Sequence, residues 1–435
     1  VALSTTERER IRRVAATLRR AESPVRILSS LSWRNEVRER FLAADGRRLP
    51  EVSYPRFDPG PTFAALAEAR REILPEGLVD RWLARQADAV ETSARMLAAA
   101  GTPEFFACSR RLYGAPAAPL AGESTTALAL ADQLEEVLGG LDGMDLGAPP
   151  AACHLASAVA ERMRDAVVAH FGPLAPEVVV VDELSANALA GPRAIRIRRT
   201  ASFTDKDVDQ LIHHEAYVHV GTSLNGRAQL DLPILASGHA GTTRTQEGLA
   251  VFAEFVSGSM DLDRLARLAG RVRAIQMAVE GANFLEVFRF FRDRGAEPAQ
   301  AFESARRVFR GGVLEGGAPF TKDVVYLDGL LRVHNFLRAV VVHGRADCLR
   351  LLFCGKLDLE DLPALCVLAA EGLCCPPLFL PPWAKDLRWM LAYLAYSAFL
   401  NRVKLDGVRE HCAALLADAP RVESLAESVY SNRGV

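Results

Sequence analysis

Nowhere does the sequence hold about 18 uninterrupted apolar residues, the length that a membrane-spanning helix needs. The richest stretch, 366–383, is broken by Glu371 and four prolines. No charge excess exists either. Lys and Arg total 52 against 54 Asp and Glu, a net charge of -2, and a general nucleic-acid binder would need a strongly basic surface. No membrane and no nucleic acid are therefore expected as partners. The eight cysteines contain no CxxC pair, which argues against a zinc ribbon or a disulfide scaffold and for reduced core thiols in a cytoplasmic protein. The opening stretch has no apolar core of a secretory signal, and Glu7 and Glu9 oppose a transit peptide. The segment Gly238–Thr243 lacks the Gly-Lys-Ser/Thr end of a phosphate loop, so nucleotide hydrolysis is not expected. No internal repeat is visible.

What is present is apolar material in quantity, 50% of 435 residues, enough for a large core and for two or three domains or one with an extension. Apolar residues recur at three- and four-residue spacing over Thr5–Ala21, Thr62–Ile73, Gly77–Ala100, Ser124–Leu138 and Cys153–Phe171, and each reads as a helix. The stretch Gly139–Pro150 is the best internal boundary, separating a helical N-terminal region, 1–150, from 151–435. Val178–Val181 and Ala194–Arg199 read as short strands joined through a helical LSANALAG segment. The alternation of the second suggests an edge strand with a basic face carrying Arg196 and Arg198. From Asp205 on the pattern is helical again. The fold class expected is mostly α with one small β-sheet (α+β).

Three of nine histidines fall within seven residues, His213, His214 and His219. They lie in a helical stretch, Asp207–Val220, with Thr204 or Asp205 as its N-cap and Gly221 at its end. His214-Glu215-Ala-Tyr-Val-His219 is an HExxxH string, one residue longer than the HExxH of zinc peptidases. In a regular helix, five steps leave two side chains about 140° apart. Two ligands for one ion therefore require a π-type turn, a feature that clusters at functional sites. Ordinary histidines on two faces are the alternative that spacing alone leaves open. Downstream, Gln246-Glu247-Gly248-Leu249-Ala250 opens a helix after the Gly- and Thr-rich loop. Glu247 is a candidate third ligand, and Glu254, seven residues on and on the same face, a candidate outer partner for a histidine. Gly248 would let another backbone or a substrate approach closely.

HEAYVH, then Asn225-Gly226, TQEGLAVFAE and Lys322-Asp323-Val-Val-Tyr326-Leu-Asp-Gly329 together resemble the QEGLA-motif family. That family includes flavohemoglobin expression-modulating proteins and the microtubule-associated tyrosine carboxypeptidases. The likeness runs from about Pro50 onward. It implies a gluzincin-like metallopeptidase core over 151–435, Zn²⁺ as cofactor, His214, His219 and Glu247 as its ligands, and Glu215 as general base. The implied partner is a peptide or protein C-terminus. The chain departs from the family where Tyr217 replaces a smaller residue, which bears on pocket access. Tyr326 is the candidate oxyanion donor, and Lys322 and Arg244 are candidate cations for a substrate carboxylate. Two further readings stand beside the zinc carboxypeptidase: a metal-dependent amidohydrolase of small non-peptide amides, and a regulatory or scaffold protein with a vestigial site. Turnover of peptides rather than N-acyl amino acids separates the first from the second. A cellular phenotype that survives loss of Glu215 marks the third.

Overall fold

The computed structural model describes residues 3–418, apart from 121, 142–151, 183, 185–186, 192 and 404–405. Most of the proposed boundary at Gly139–Pro150 lies outside the described residues. Helices dominate. The expected N-terminal helices run over Thr5–Glu22, Gly60–Glu72, Leu78–Ala98 and Ala127–Gly139. Ser4 closes a capping box with Glu7 at the first of them, which satisfies two backbone donors that a helix start leaves open.

The first three of these helices share one core with later ones, and Ala127–Gly139 packs into a second. Ile11, Val14, Leu18, Trp82 and Leu83 are buried in the same cluster as Leu249, Phe252, Val333 and Leu337. A second cluster is aromatic, with Trp33, Phe41, Phe284 and Phe302 in edge or tilted ring contacts at 5.1–6.0 Å.

The mostly α fold class with little β-structure is as expected, with two small sheets among the described residues. The course of the strands departs from the expectation in three ways. Strand β1 (His154–Leu155) pairs antiparallel with β5 (Ser202–Phe203), so the helix expected from Cys153 begins at Ala156. In the other sheet β2 (Glu177–Val181) runs parallel to β4 (Ala194–Arg198), and β3 (Ala188–Ala190) runs antiparallel to it, in the order β2-β4-β3. The described end of the LSANALAG segment is thus a strand, although Ala and Leu favour helices, because its backbone groups pair with β4. Strand β4 is central, not an edge. Ile195 and Ile197 are buried on its inner face against Val159, Met163 and Val208.

The cysteines also differ in part from expectation. All eight are free, but Cys153, Cys375 and Cys412 are exposed and not core thiols. No helix among the described residues is long and apolar enough to cross a membrane.

Candidate metal centre

Thr204 caps the histidine helix. Its hydroxyl accepts from Asp207 N–H, while the Asp207 carboxylate accepts from Thr204 N–H. An α-helical start, Asp205–Leu211, then widens into a nine-residue π-helix, Ile212–Val220. This is the widened turn that the five-residue histidine spacing requires. Gly221 does not end the element; an α-helix continues over Gly221–Arg227 with the glycine in ordinary right-handed geometry.

The π-turn brings His214 and His219 together, with ring centroids 4.8 Å apart. Glu247 reaches them from the neighbouring helix, Ala240–Val256, which starts at Ala240 with His239 as its cap and takes in part of the expected loop. Glu247 Oε2 lies 3.6 Å from His214 Nε2 and 3.5 Å from His219 Nε2. These separations are long for hydrogen bonds. They are close to the edge of a tetrahedron with ligand bonds of 2.0–2.1 Å, about 3.3 Å. Two imidazoles and a carboxylate are also a donor set that suits zinc, so these residues fit the ion.

The outer partners fix the geometry. A carboxylate can only accept, so His214 Nδ1–H donates to Glu254 Oε1, at 2.6 Å, and Nε2 is left to face Glu247 and His219. Glu254 is fully buried and is itself gripped by Arg264 through two bonds of 2.8 Å. Gln210 donates to the same carboxylate. Burial opposes ionisation of Glu254, but Arg264 and His214 hold its carboxyl below the usual range. Burial also opposes charge on His214, yet Glu247 and Glu254 lift it to about 10. Burial pulls His219 down against the attraction of Glu247.

Glu247 uses its second oxygen on Lys322, with Nζ–Oε1 at 2.9 Å. Burial would raise its carboxyl, but Lys322 and the two histidines hold it well below the ordinary value. The two motifs therefore meet through this contact, and glycine makes it possible. A Cβ on Gly248 would overlap Gly329 O, and a Cβ on Gly329 would overlap Arg244 O. Gly248 serves the close approach of another backbone, the Val325–Val342 helix. The Asn225-Gly226 pair is structural as well. Asn225 donates to Phe353 O and Phe379 O and accepts from Phe379 N–H, while Gly226 abuts Leu235 O.

The remaining candidates are placed as follows. Glu215 is half-buried, and its Oε2 accepts from Ala190 N–H on β3 at 3.0 Å. Tyr326 oxygen accepts from Arg307 at 3.2 Å and from Lys322 at 3.5 Å, which leaves its own hydroxyl proton free to donate. Lys322 is spent on Glu247. Arg244 is spent on Asp328, at 2.8 Å. Tyr217 packs on His170 and His213, with centroids at 4.7 and 5.3 Å.

Sequence reasoning missed Arg264, Arg271, Arg307, Asp323 and Lys356. Lys356 donates to His219 O at 3.0 Å and to Thr222 Oγ1 at 2.9 Å, and burial pulls it down to about 8. Nothing in its local sequence marks it. Arg264 and Arg271 carried a signal: they are seven apart on one helix, Leu262–Val279, and so share a face.

The fold and site define a mostly helical protein with a buried two-histidine, one-carboxylate cluster on a π-turn. A family model described as microtubule-associated tyrosine carboxypeptidase matches residues 39–402. The chain belongs to that family. No curated protein matches it.

Proposed function

We propose that the chain is a zinc-dependent carboxypeptidase that hydrolyses the last peptide bond of a peptide or protein. The observation that carries this reading is the set of 3.5–3.6 Å contacts among His214, His219 and Glu247, with Glu215 next to the first ligand. Membership of a family described as tyrosine carboxypeptidases supplies the bond class. A zinc ion held by His214, His219 and Glu247 would supply a Lewis acid and lower the pKa of a water toward about 7.

The chain's own residues do the rest. Glu215 takes a proton from the attacking water and returns it to the leaving amine. Its hydrogen bond to Ala190 N–H orients the carboxylate and ties it to β3, one of the two outer strands of its sheet. Tyr326, with its oxygen already accepting from two cations, donates its proton toward the developing oxyanion. Lys322 holds Glu247 ionised and aimed at the histidines. The Glu254–Arg264 pair holds His214 in the Nδ1–H tautomer.

The test combines elemental analysis of the purified protein with Glu215→Gln. One zinc per chain is expected, with release of the C-terminal residue slowed by roughly 10²- to 10⁴-fold in the variant. Peptides ending in tyrosine are the first to try. Protein without a stoichiometric metal, or a variant as fast as wild type, ends the proposal.

A further inference from the structure

Three arginines gather beside the centre around a single carboxylate. Arg271 comes from the Leu262–Val279 helix, Arg307 and Arg310 from the Pro298–Phe309 helix and its C-cap, and the carboxylate is Asp323. Arg307 takes both Asp323 oxygens, at 2.5 and 3.0 Å. Arg271 Nε is left at 3.8 Å from one of them, beyond hydrogen-bond reach. Arg310 is 6% exposed, and its Nε is buried without a partner. Guanidinium groups in such surroundings are normally paired, because an uncompensated buried charge is costly. Burial and the charge of Arg307 push Arg271 down to about 9, as expected of a cation short of a counterion. The other cations near Tyr326 are satisfied: Lys322 by Glu247, Arg264 by Glu254.

Position and access point the same way. Arg271 lies 5.1 Å from the centroid of the Tyr326 ring, and Lys322 Nζ, which holds Glu247, lies 5.0 Å from the same centroid. Arg271 and Lys322 thus both lie against one ring, and Lys322 carries on to the ligand cluster through Glu247. A single residue carries a peptide about 3.8 Å from Cα to Cα, so the group that receives a C-terminal carboxylate must stand close to the ligand cluster, and Arg271 is linked to it through Tyr326 and Lys322. Arg271 keeps 21% of its side chain exposed and can be reached from solvent.

We propose that Arg271, backed by Arg307 and Arg310, receives the α-carboxylate of the substrate's C-terminal residue. Its planar fork matches a carboxylate through two parallel hydrogen bonds, and the anion supplies the charge that the cluster lacks. This assignment rests on the carboxypeptidase reading and makes Arg271 the residue that restricts cleavage to free C-termini.

The test is binding, not turnover. Calorimetry on the full chain in the Glu215→Gln background compares acetyl-Gly-Gly-Tyr with its C-terminal amide. The parent is expected to bind the acid about tenfold more tightly or better. Arg271→Ala brings the two peptides to within about twofold, and Arg271→Lys, which keeps the charge and guards against misfolding, falls between. Inorganic phosphate is the control anion. An acid preference that survives Arg271→Ala overturns the assignment, as does a parent with no preference. Arg271-dependent capture of phosphate without capture of the peptide acid overturns it too. A protein that carries no zinc yet prefers the acid through Arg271 defeats the metallopeptidase reading and leaves the carboxylate site standing.

Discussion

Two neighbouring regions handle buried charge in opposite ways. Around the histidines most charges are paired: Arg264 meets Glu254, Glu254 meets His214, and Lys322 meets Glu247, while Lys356 rests on the neutral acceptors His219 O and Thr222 Oγ1. Beyond Tyr326, Arg271, Arg307 and Arg310 share Asp323 as their carboxylate among the described residues. The first region is built to hold a geometry, since each partner restricts the next. The second is short of negative charge and suited to receive an anion. Buried polar groups that are fully paired rigidify a site, whereas those left short of partners are costly until a partner satisfies them.

The paired region should break most severely. Glu254→Ala leaves Arg264 and His214 buried without their shared carboxylate, and a loss of roughly 3–5 kcal/mol is expected in urea unfolding. Zinc affinity should fall by about 10- to 100-fold in the same variant. A loss no larger than that of a surface variant would show that the chain of contacts is not what orders the histidine.

Acid sharpens the contrast between charged and neutral buried pairs. His239 donates from Nε2 to Gln86 Oε1 at 2.7 Å and accepts Gly241 N–H at Nδ1, so it is satisfied only when neutral. Burial lowers it to about 4 from the ordinary 6.5. The folded state then resists a proton that the unfolded chain takes up. Stability from this group is complete above pH 6.5 and declines as pH falls toward 4, by about 3 kcal/mol in all. Thermal melts of wild type and His239→Gln across this range should converge on acidification. Parallel curves would remove His239 as the cause.

Gly248→Ala tests how the two motifs are joined. The added methyl meets Gly329 O, so the helices must part, at roughly 1–3 kcal/mol and with Glu247 displaced. Lower stability and weaker zinc binding should appear together. Arg12→Ala is the smallest change. Arg12 pairs with Asp231 at 2.8 Å on the open surface, where solvent screens the pair, and no measurable shift of the unfolding midpoint is expected. A large shift there would mean that pairing itself, not burial, separates the two regions.

Much of the fold is legible in linear order. Three- and four-residue periodicity marks the long helices to within a few residues of their ends, because a helix buries one face whatever its neighbours are. The strands are less legible. LSANALAG has helix-forming composition, and only pairing with β4 makes part of it a strand. The central position of β4 was hidden for the same reason, since alternation reports faces and not the number of neighbours. At the site, the reading of both histidines as ligands of one ion demands a wide turn, and the chain has one. The targets of Lys322 and Arg244 could not be read, because each lies on another helix 75 or more residues away.

By itself the sequence determined the long helices and the residue types near the site, and it made a π-turn the condition for two histidine ligands, since these follow from periodicity and from covalent spacing along one element. Tertiary structure alone decided which cation meets which carboxylate. Opposite charges attract over a few ångströms of space whatever their distance along the chain, so the saturation of Lys322 and the shortfall at Arg271 emerge only when the helices pack.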